Sequence, residues 1–401
     1  MSAEWQNFDL FNPTEEHKML RQTVHEFVLS EVEPQTLEHD RKELFNLPLF
    51  RKLGELGLLG ITVPEKFGGS GMDAIAVTIV NEEISWSDPG FCLAYLAHSM
   101  LCVNNFAQNS SESQKKLILP KLCSGEWVGA MAMSEPHVGT DVLGMKTTAV
   151  KDGDNYVLNG RKMWVTNGTI DEEKTPADCV LVYARTGEKN GRPKLSTFLV
   201  EKEHPGYSVG QKIKDKNGMR ASNTAELVFN DCRVPRSALL GDEGDSTLHM
   251  MKNLEIERVA IAAMSIGIAK RSLQVMNKYA REREAFGRPI ADFGQIQKYI
   301  GDSYAEYMAA RTYVYDTARR LDLDKSGQRL DSDGVKIVAS TMAKNVADRA
   351  MQVLGGYGYV GEYIVERLWR DSKLLEIGGG TLEAHQKNIT NDLGRMGELL
   401  Q

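Results

Sequence analysis

The sequence of 401 residues contains few cysteines, and their spacing excludes several kinds of site. No Cys-x-x-Cys pair occurs, and the five cysteines are widely spread: Cys92, Cys102, Cys123, Cys179 and Cys232. An odd and scattered set argues against a disulfide framework or a zinc site, and it fits a reducing compartment. The eight histidines form no His-x-x-x-His pair either, so we expect no metal site.

The chain also lacks a net excess of positive charge and a long apolar run. A net charge of −7 gives no general basic field that would attract nucleic acid or an anionic membrane. The longest nearly apolar stretch, Val259 to Ala269, is far shorter than the roughly 20 residues that cross a bilayer. The N-terminus, Met1 to Trp5, lacks the basic and apolar regions of a signal peptide. We therefore expect no nucleic-acid partner, no transmembrane segment and no targeting peptide.

The periodicity of apolar residues changes twice along the chain. From Glu15 to about Asn105, apolar residues recur every three or four positions, which predicts helices. Helical periodicity returns at His249 and continues almost to the C-terminus. Between these regions, Asn-Gly, Asp-Gly and Pro-Gly turn signals separate short β-rich runs: Tyr156–Leu158, Cys179–Tyr183, Phe198–Val200 and Ala225–Phe229.

This order predicts an α+β protein of three parts. A chain of 401 residues is also longer than a single hydrophobic core usually supports. We place a helical domain at 1–125, an antiparallel β-domain at 126–241 and a second helical domain at 242–401. The run Gly356 to Gly361 has the spelling of a dinucleotide-binding fingerprint, which must follow a strand. The preceding residues, Asn345 to Leu354, have helical spacing, so we interpret Gly355 as the end of a helix.

Six short motifs occur in a characteristic order along nearly the whole chain. Each is weak alone, because such segments also form ordinary turns and hairpins. The motifs are Pro64–Gly69, Met133–Asp141, Trp164–Gly168, Arg281–Gly287, Gly355–Tyr359 and Gly379–Thr381. Together they resemble the acyl-CoA dehydrogenase family. The resemblance implies FAD bound between the β-domain and a C-terminal four-helix bundle, in a homotetramer.

The resemblance also implies which residues hold FAD. The isoalloxazine would be lined by Met131, Met133, Ser134, Gly139 and Thr140, with Trp164, Val165 and Thr166 beside the ring. The adenine and pyrophosphate would be reached, from a neighbouring subunit, by Arg283, Phe286, Gln295, Gln352, Gly355 and Gly356. Thr381 and Glu383 would also lie by the cofactor. Family members often have glutamine where this chain has Gly294, and Gln295 stands beside it.

The catalytic base is the point where this chain departs from most of the family. The usual glutamate directly before the Gly-Thr pair is replaced by Gly379, which has no side chain to accept a proton. Glu257 lies in an apolar helical segment with no cation three or four residues away, so burial should raise its pKa and suit it as a general base. Alternatively, Glu257 contacts a distant arginine or faces water. Isovaleryl-CoA dehydrogenases look the same at both positions, which favours Glu257.

The expected substrate contacts follow from the same resemblance: Thr140, Leu248, Glu255, Arg258 and the backbone N–H of Gly379. We expect Glu255 at the helix surface, paired with Arg258 one turn later. The run Ala94 to Asn104 is similar to the isovaleryl-type border of the acyl pocket, and it lacks the arginine of glutaryl-CoA enzymes. The missing side chain at Gly379 is expected to leave space for a branched acyl group.

The implied reaction is α,β-dehydrogenation of a short or branched acyl-CoA, with electrons passed to an electron-transfer flavoprotein. Two alternatives stay open at this point: a cyclic, aryl or longer branched acyl-CoA as substrate, or a flavoprotein without dehydrogenase activity. The expected location is the bacterial cytoplasm, or the mitochondrial matrix for a mature eukaryotic protein.

Overall fold

The computed structural model describes residues 8–325 and 327–396. The first part is helical, as predicted, and α1 begins at Glu15 because the Thr14 side chain accepts the backbone N–H of His17. π-Helical stretches at Val28–Val32 and Ala97–Asn104 join α1 to α2 and α5 to α6. The helices are α1 Glu15–Phe27, α2 Glu33–Lys42, α3 Leu47–Glu55, α4 Ala74–Ser87, α5 Pro89–Leu96, α6 Asn105–Asn109 and α7 Glu112–Cys123.

The predicted β-runs all lie in strands of one eight-stranded sheet. Its strands are β1 Gly129–Ala132, β2 Thr148–Asp152, β3 Asn155–Thr166, β4 Cys179–Lys189, β5 Arg192–Glu201, β6 Tyr207–Lys212, β7 Thr224–Pro235 and β8 Leu239–Leu240. The order is β6-β7-β3-β2-β4-β5-β8, with β1 also paired to β4. The inner faces of these strands form a separate apolar core.

One part of the sheet differs from the antiparallel prediction. Strand β1 runs parallel to β4, with Gly129 opposite Cys179, and β2 meets β4 in a single parallel pair, Thr148 with Arg185. Parallel neighbours need a long crossover, which here includes β2 and β3. Turn signals report only local hairpins, so they could not reveal this pairing.

The C-terminal part is a helical bundle with a small hairpin between its first two helices. The elements are α8 Ser246–Glu282, β9 Glu284–Ala285, β10 Arg288–Pro289, α9 Gly294–Arg320, α10 Arg329–Leu354, α11 Gly356–Tyr359, α12 Val365–Leu375 and α13 Leu382–Met396. Helices α8, α9, α10 and α12 pack together, and α8 also packs on α4 of the first part. The predicted helix end is confirmed, because α10 stops at Leu354 and Gly355 has a φ of +59°.

Helix α8 is the structural link between the three parts. By length and composition alone it could cross a membrane, but 72% of its most apolar 18-residue segment is buried inside the fold. A helix that is apolar on all sides is expected at the centre of a large protein. The burial of α8 places any charged side chain on its central turns in an apolar environment.

Candidate active site

Glu257 is a buried carboxylate on the central part of α8. Its side chain is 5% exposed, and within the described residues its Oε2 atom has no hydrogen-bond partner. Burial raises the pKa of Glu257 to about 7, while the positive charges of Arg258 and Lys336 act in the opposite direction. The pKa therefore moves in the direction that the sequence predicted. At neutral pH this carboxylate is poised to take up a proton.

Gly379 lies directly against Glu257, in the loop between α12 and α13. A Cβ atom built on Gly379 would be 3.3 Å from Glu257 Oε1 and would overlap Cδ1 of Ile261. In this structure the Cδ1 methyl group of Ile261, the end of a flexible side chain, occupies that volume, so space for a branched acyl group depends on the rotamer of Ile261 and stays a prediction. The φ of Gly379 is +65°, a left-handed conformation that favours glycine.

The sequence did not identify three buried polar residues around this loop. Lys336 and Asp333 of α10 are fully buried, and His385 of α13 is 1% exposed. Lys336 Nζ donates to the Gly380 carbonyl at 2.8 Å, and burial lowers the pKa of Lys336 to about 8. A lone lysine in a helical pattern usually faces solvent. Only the docking of neighbouring elements shows that this one is internal.

Glu255 and Arg258 do not form the predicted pair. Glu255 is buried and accepts the backbone N–H groups of Gly327 and Gln328, at 3.0 to 3.3 Å. Arg258 Nε lies 3.0 Å from a carboxylate oxygen of Asp333. The surface position expected for Glu255 is therefore wrong, because the connection between α9 and α10 covers it. Substrate contact by either side chain stays a prediction.

A platform for a planar ring lies at the end of β3. Trp164 is 61% exposed, with a left-handed φ of +62° that turns its side chain away from the pleat of the strand. The neighbouring Met163 N–H donates to the Ser134 carbonyl, and buried Lys162 donates to the Met133 carbonyl and to Glu135. The structure thus brings the Met133–Ser134 segment next to Trp164, and contact of both with the isoalloxazine stays a prediction.

The other predicted residues of the isoalloxazine site are distributed around this platform. Val165 is buried in the core of the β-domain, so its side chain points away from the platform. Met131 and Thr166 are half-buried, while Gly139, Thr140 and Leu248 are exposed. Thr381 caps α13 by accepting the Ala384 N–H, and Glu383 is exposed in the first turn of that helix.

A second cleft contains several residues predicted to contact the far end of the cofactor. It has a volume of about 490 Å³, and its lining includes Arg283, Gly355 and Gly356 but no residue of the β-domain. Phe286 is 96% exposed, and Gln295 and Gln352 are also exposed. Within one chain, the two halves of the predicted FAD site therefore do not meet in one cavity.

The residues present fit a flavin. An exposed indole beside a backbone loop offers a surface for a planar ring, and Glu257 Oε2 is a buried carboxylate oxygen with no hydrogen-bond partner among the described residues. A helical, β, helical fold with a buried carboxylate of raised pKa and an exposed ring platform points to the class of flavin-dependent dehydrogenases.

Comparisons with known proteins identify the family. Three family models match: the acyl-CoA dehydrogenase N-terminal domain at 14–126, the middle domain at 130–232 and the C-terminal domain at 247–394. The rice mitochondrial isovaleryl-CoA dehydrogenase is 42% identical, with 96% of this chain and 92% of the rice protein covered. The chain belongs to the acyl-CoA dehydrogenase family, whose members are FAD-dependent oxidoreductases acting on CH–CH bonds.

Solved structures agree with the assignment. Butyryl-CoA dehydrogenase from Megasphaera elsdenii has a TM-score of 0.90 at 34% identity, covering 96% of this chain and 98% of that chain. A glutaryl-CoA dehydrogenase from Mycobacterium smegmatis in complex with FADH2 has a TM-score of 0.88 at 27% identity, covering 97% and 96% of the two chains. The predicted three-part fold and the predicted cofactor are confirmed.

Proposed function

We propose that this protein oxidises a short or branched acyl-CoA, similar to isovaleryl-CoA, to the 2-enoyl-CoA, with Glu257 as the catalytic base. The observation that carries the proposal is the unpartnered Glu257 carboxylate beside Gly379. Its raised pKa matches the task of accepting a proton near neutral pH. A substrate wedged between α8 and the Gly379 loop would present its Cα to this carboxylate.

The chain itself supplies a base and a hydrogen-bond donor. The Glu257 carboxylate, whose Oε1 faces Gly379, takes the Cα proton, and the developing negative charge moves to the thioester oxygen, where it needs donors. Within residues 8–325 and 327–396 no acceptor binds the Gly379 N–H, so this group is available for that oxygen. FAD, when bound, supplies the hydride acceptor for Cβ. Position 379 therefore keeps a role although it has lost its carboxylate.

A branched acyl chain is favoured by similarity and by the absence of a distal cation. The rice relative at 42% identity is named an isovaleryl-CoA dehydrogenase. The segment Ala94 to Asn104 is almost entirely buried and contains no arginine that could bind a second carboxylate. His98 in this segment is fully buried and is satisfied within the chain by Leu122 O and the Gly129 N–H. A cyclic or aryl acyl-CoA is the alternative substrate for the same chemistry.

The wider assembly is part of the same proposal. The cleft that contains Arg283 and Gly355 would receive the adenine end of a neighbouring subunit's FAD, as in a homotetramer. Two exposed aromatic residues close in sequence to its lining, Phe286 and Tyr359, would be covered by that contact. An electron-transfer flavoprotein would accept the electrons. The location would be the bacterial cytoplasm, or the mitochondrial matrix in a eukaryote.

The direct test is an anaerobic titration of the purified yellow protein. Isovaleryl-CoA should bleach the flavin absorbance at near one equivalent per site, and turnover should follow with an artificial electron acceptor. Butyryl-CoA, glutaryl-CoA and a cyclic acyl-CoA measured in parallel rank the acyl chains by kcat/KM. Absence of bleaching by every acyl-CoA would refute the proposal.

A further inference from the structure

The Gly380 carbonyl is held by two buried side chains from different helices. Lys336 Nζ lies 2.8 Å from the oxygen and His385 Nε2 lies 3.1 Å from it. A carbonyl oxygen has two lone pairs and can accept both bonds. The loop between α12 and α13 is thereby tied to the middle of α10 and to the first turns of α13.

Asp333 completes this arrangement by fixing the His385 ring. His385 Nδ1 lies 2.6 Å from Asp333 Oδ1, and Arg258 Nε lies 3.0 Å from the same oxygen. The Gly380 carbonyl can only accept, so His385 Nε2 is the donor in that bond, and the contact of Nδ1 with Asp333 fixes the orientation of the ring. Arg258 directly follows Glu257, so the network extends to the helix that carries the base.

The loop needs such restraints because it consists of glycines. Gly379 and Gly380 both have left-handed φ values, +65° and +94°, and glycine has the largest conformational freedom of any residue. A Cβ on Gly380 would lie 2.9 Å from the His385 ring, so the ring packs directly on this backbone. A hydrogen-bond donor stabilises a developing charge only if it is already oriented before the reaction. Free glycines could not provide that orientation.

We propose that Lys336 and His385 are positioning residues, which clamp the Gly380 carbonyl and so hold the Gly379 N–H towards the thioester oxygen. The inference rests on the proposed function of Gly379. Lys336 donates to a backbone carbonyl although burying its charge costs free energy. The carbonyl that it holds belongs to Gly380, one residue after the Gly379 N–H. A helix-packing role alone would be met by an apolar side chain.

The test uses acetoacetyl-CoA, whose acidic α-proton lets it bind as an enolate without being oxidised. The near-ultraviolet absorbance of the enolate, followed against pH in the FAD-loaded protein, reports how well the donors stabilise the oxyanion. Lys336→Met and His385→Leu should each weaken enolate formation by about tenfold to hundredfold, as expected when a donor is displaced by about 1 Å. Their kcat for isovaleryl-CoA should fall by a similar factor, with a smaller change in KM.

Matched variants separate positioning from charge and from packing. His385→Gln is neutral but keeps a donor for the carbonyl, and Lys336→Arg keeps both donor and charge, so each should restore enolate formation. Lys344→Met makes the same substitution two turns further along α10 and should leave the enolate unchanged. The charged groups that face Lys336 are Glu257, Arg258, Asp333, Glu376, Glu383 and His385. Apart from the substituted residue itself, these groups are the same in the wild type and in the rescue variants.

The proposal is wrong if folded, FAD-loaded Lys336→Met and His385→Leu both ionise the probe at the wild-type pH. Should Lys336→Met fail to fold, His385→Leu alone decides, because it removes one of the two donors. The probe does not turn over, so this result is independent of the substrate assignment. Wild-type protein that ionises the probe but is bleached by no acyl-CoA would refute the proposed function, and loss of the enolate in the two variants would still support the clamp.

Discussion

Replacing Glu257 by glutamine removes a base and a buried charge while keeping the shape of the side chain. Removal of a general base should lower kcat for isovaleryl-CoA by about 10²–10⁴-fold, while FAD and acyl-CoA still bind. In the wild type, kcat/KM should fall as the pH drops below about 7, because the carboxylate then holds a proton. Stopped-flow bleaching of the flavin measures both effects before any electron acceptor is needed.

The same variant should change how stability depends on pH. Burial raises the pKa of Glu257 from the ordinary 4.5 to about 7, which corresponds to on the order of 3 kcal/mol. Below pH 4.5 the folded and unfolded wild type both carry a neutral acid, so there is no penalty. Between pH 4.5 and 7 the unfolded chain loses its proton first, and above pH 7 the folded wild type bears the full cost of a buried carboxylate.

Glu257→Gln carries no such charge at any pH. Its thermal stability relative to the wild type should therefore increase from pH 5 to pH 8, measured with excess FAD for both proteins. A kcat close to the wild-type value would show that another group is the base. A stability difference that does not change with pH would show that the Glu257 charge is solvated, and the reasoning from burial would then be wrong.

Three further outcomes follow from the structure. Arg283→Ala should lower FAD content and Tm, whereas Arg281→Ala, at an exposed position two residues earlier, should not. Equal FAD retention in both variants would exclude Arg283 as a cofactor contact. Gly379→Ala should be destabilising. Ile261→Val removes the methyl group that would overlap the new Cβ, so the double variant should recover the steric part of the loss and keep backbone strain of about 1–2 kcal/mol. Additive effects in the double variant would show that the two residues do not touch. Glu255→Gln should lower Tm with kcat near the wild-type value, since it weakens an acceptor for two backbone N–H groups; a large fall in kcat would place Glu255 at the substrate.

Local signals were sufficient for most of the fold. The start of α1 at Glu15, the end of α10 before Gly355 and the positions of four strands depend on caps, glycines and alternation within a few residues. The sequence also indicated that Glu257 is buried, because the apolar run that contains it is longer than three helical turns and leaves no side of the helix for solvent. The motifs indicated that the Met133 segment and Trp164 both lie by the flavin, and the two segments are neighbours in the structure.

Contacts between distant segments could not be inferred in this way. The partner of Glu255 is a loop about 70 residues away, and the parallel pairing of β1 depends on a crossover that contains other strands. Whether space exists at Gly379 depends on the rotamer of Ile261 on another helix. None of these is encoded by spacing along the chain.

The sequence by itself determined the family and the three-part order of the fold, because these depend on local patterns and short motifs, and it supplied the prediction that Glu257 is the base. The tertiary structure decided what surrounds the base: the methyl group of Ile261 in the expected gap, and the buried Lys336, Asp333 and His385 around a glycine loop. The physical reason is that burial and hydrogen-bond partnership arise only when α8, α10 and α13 pack together.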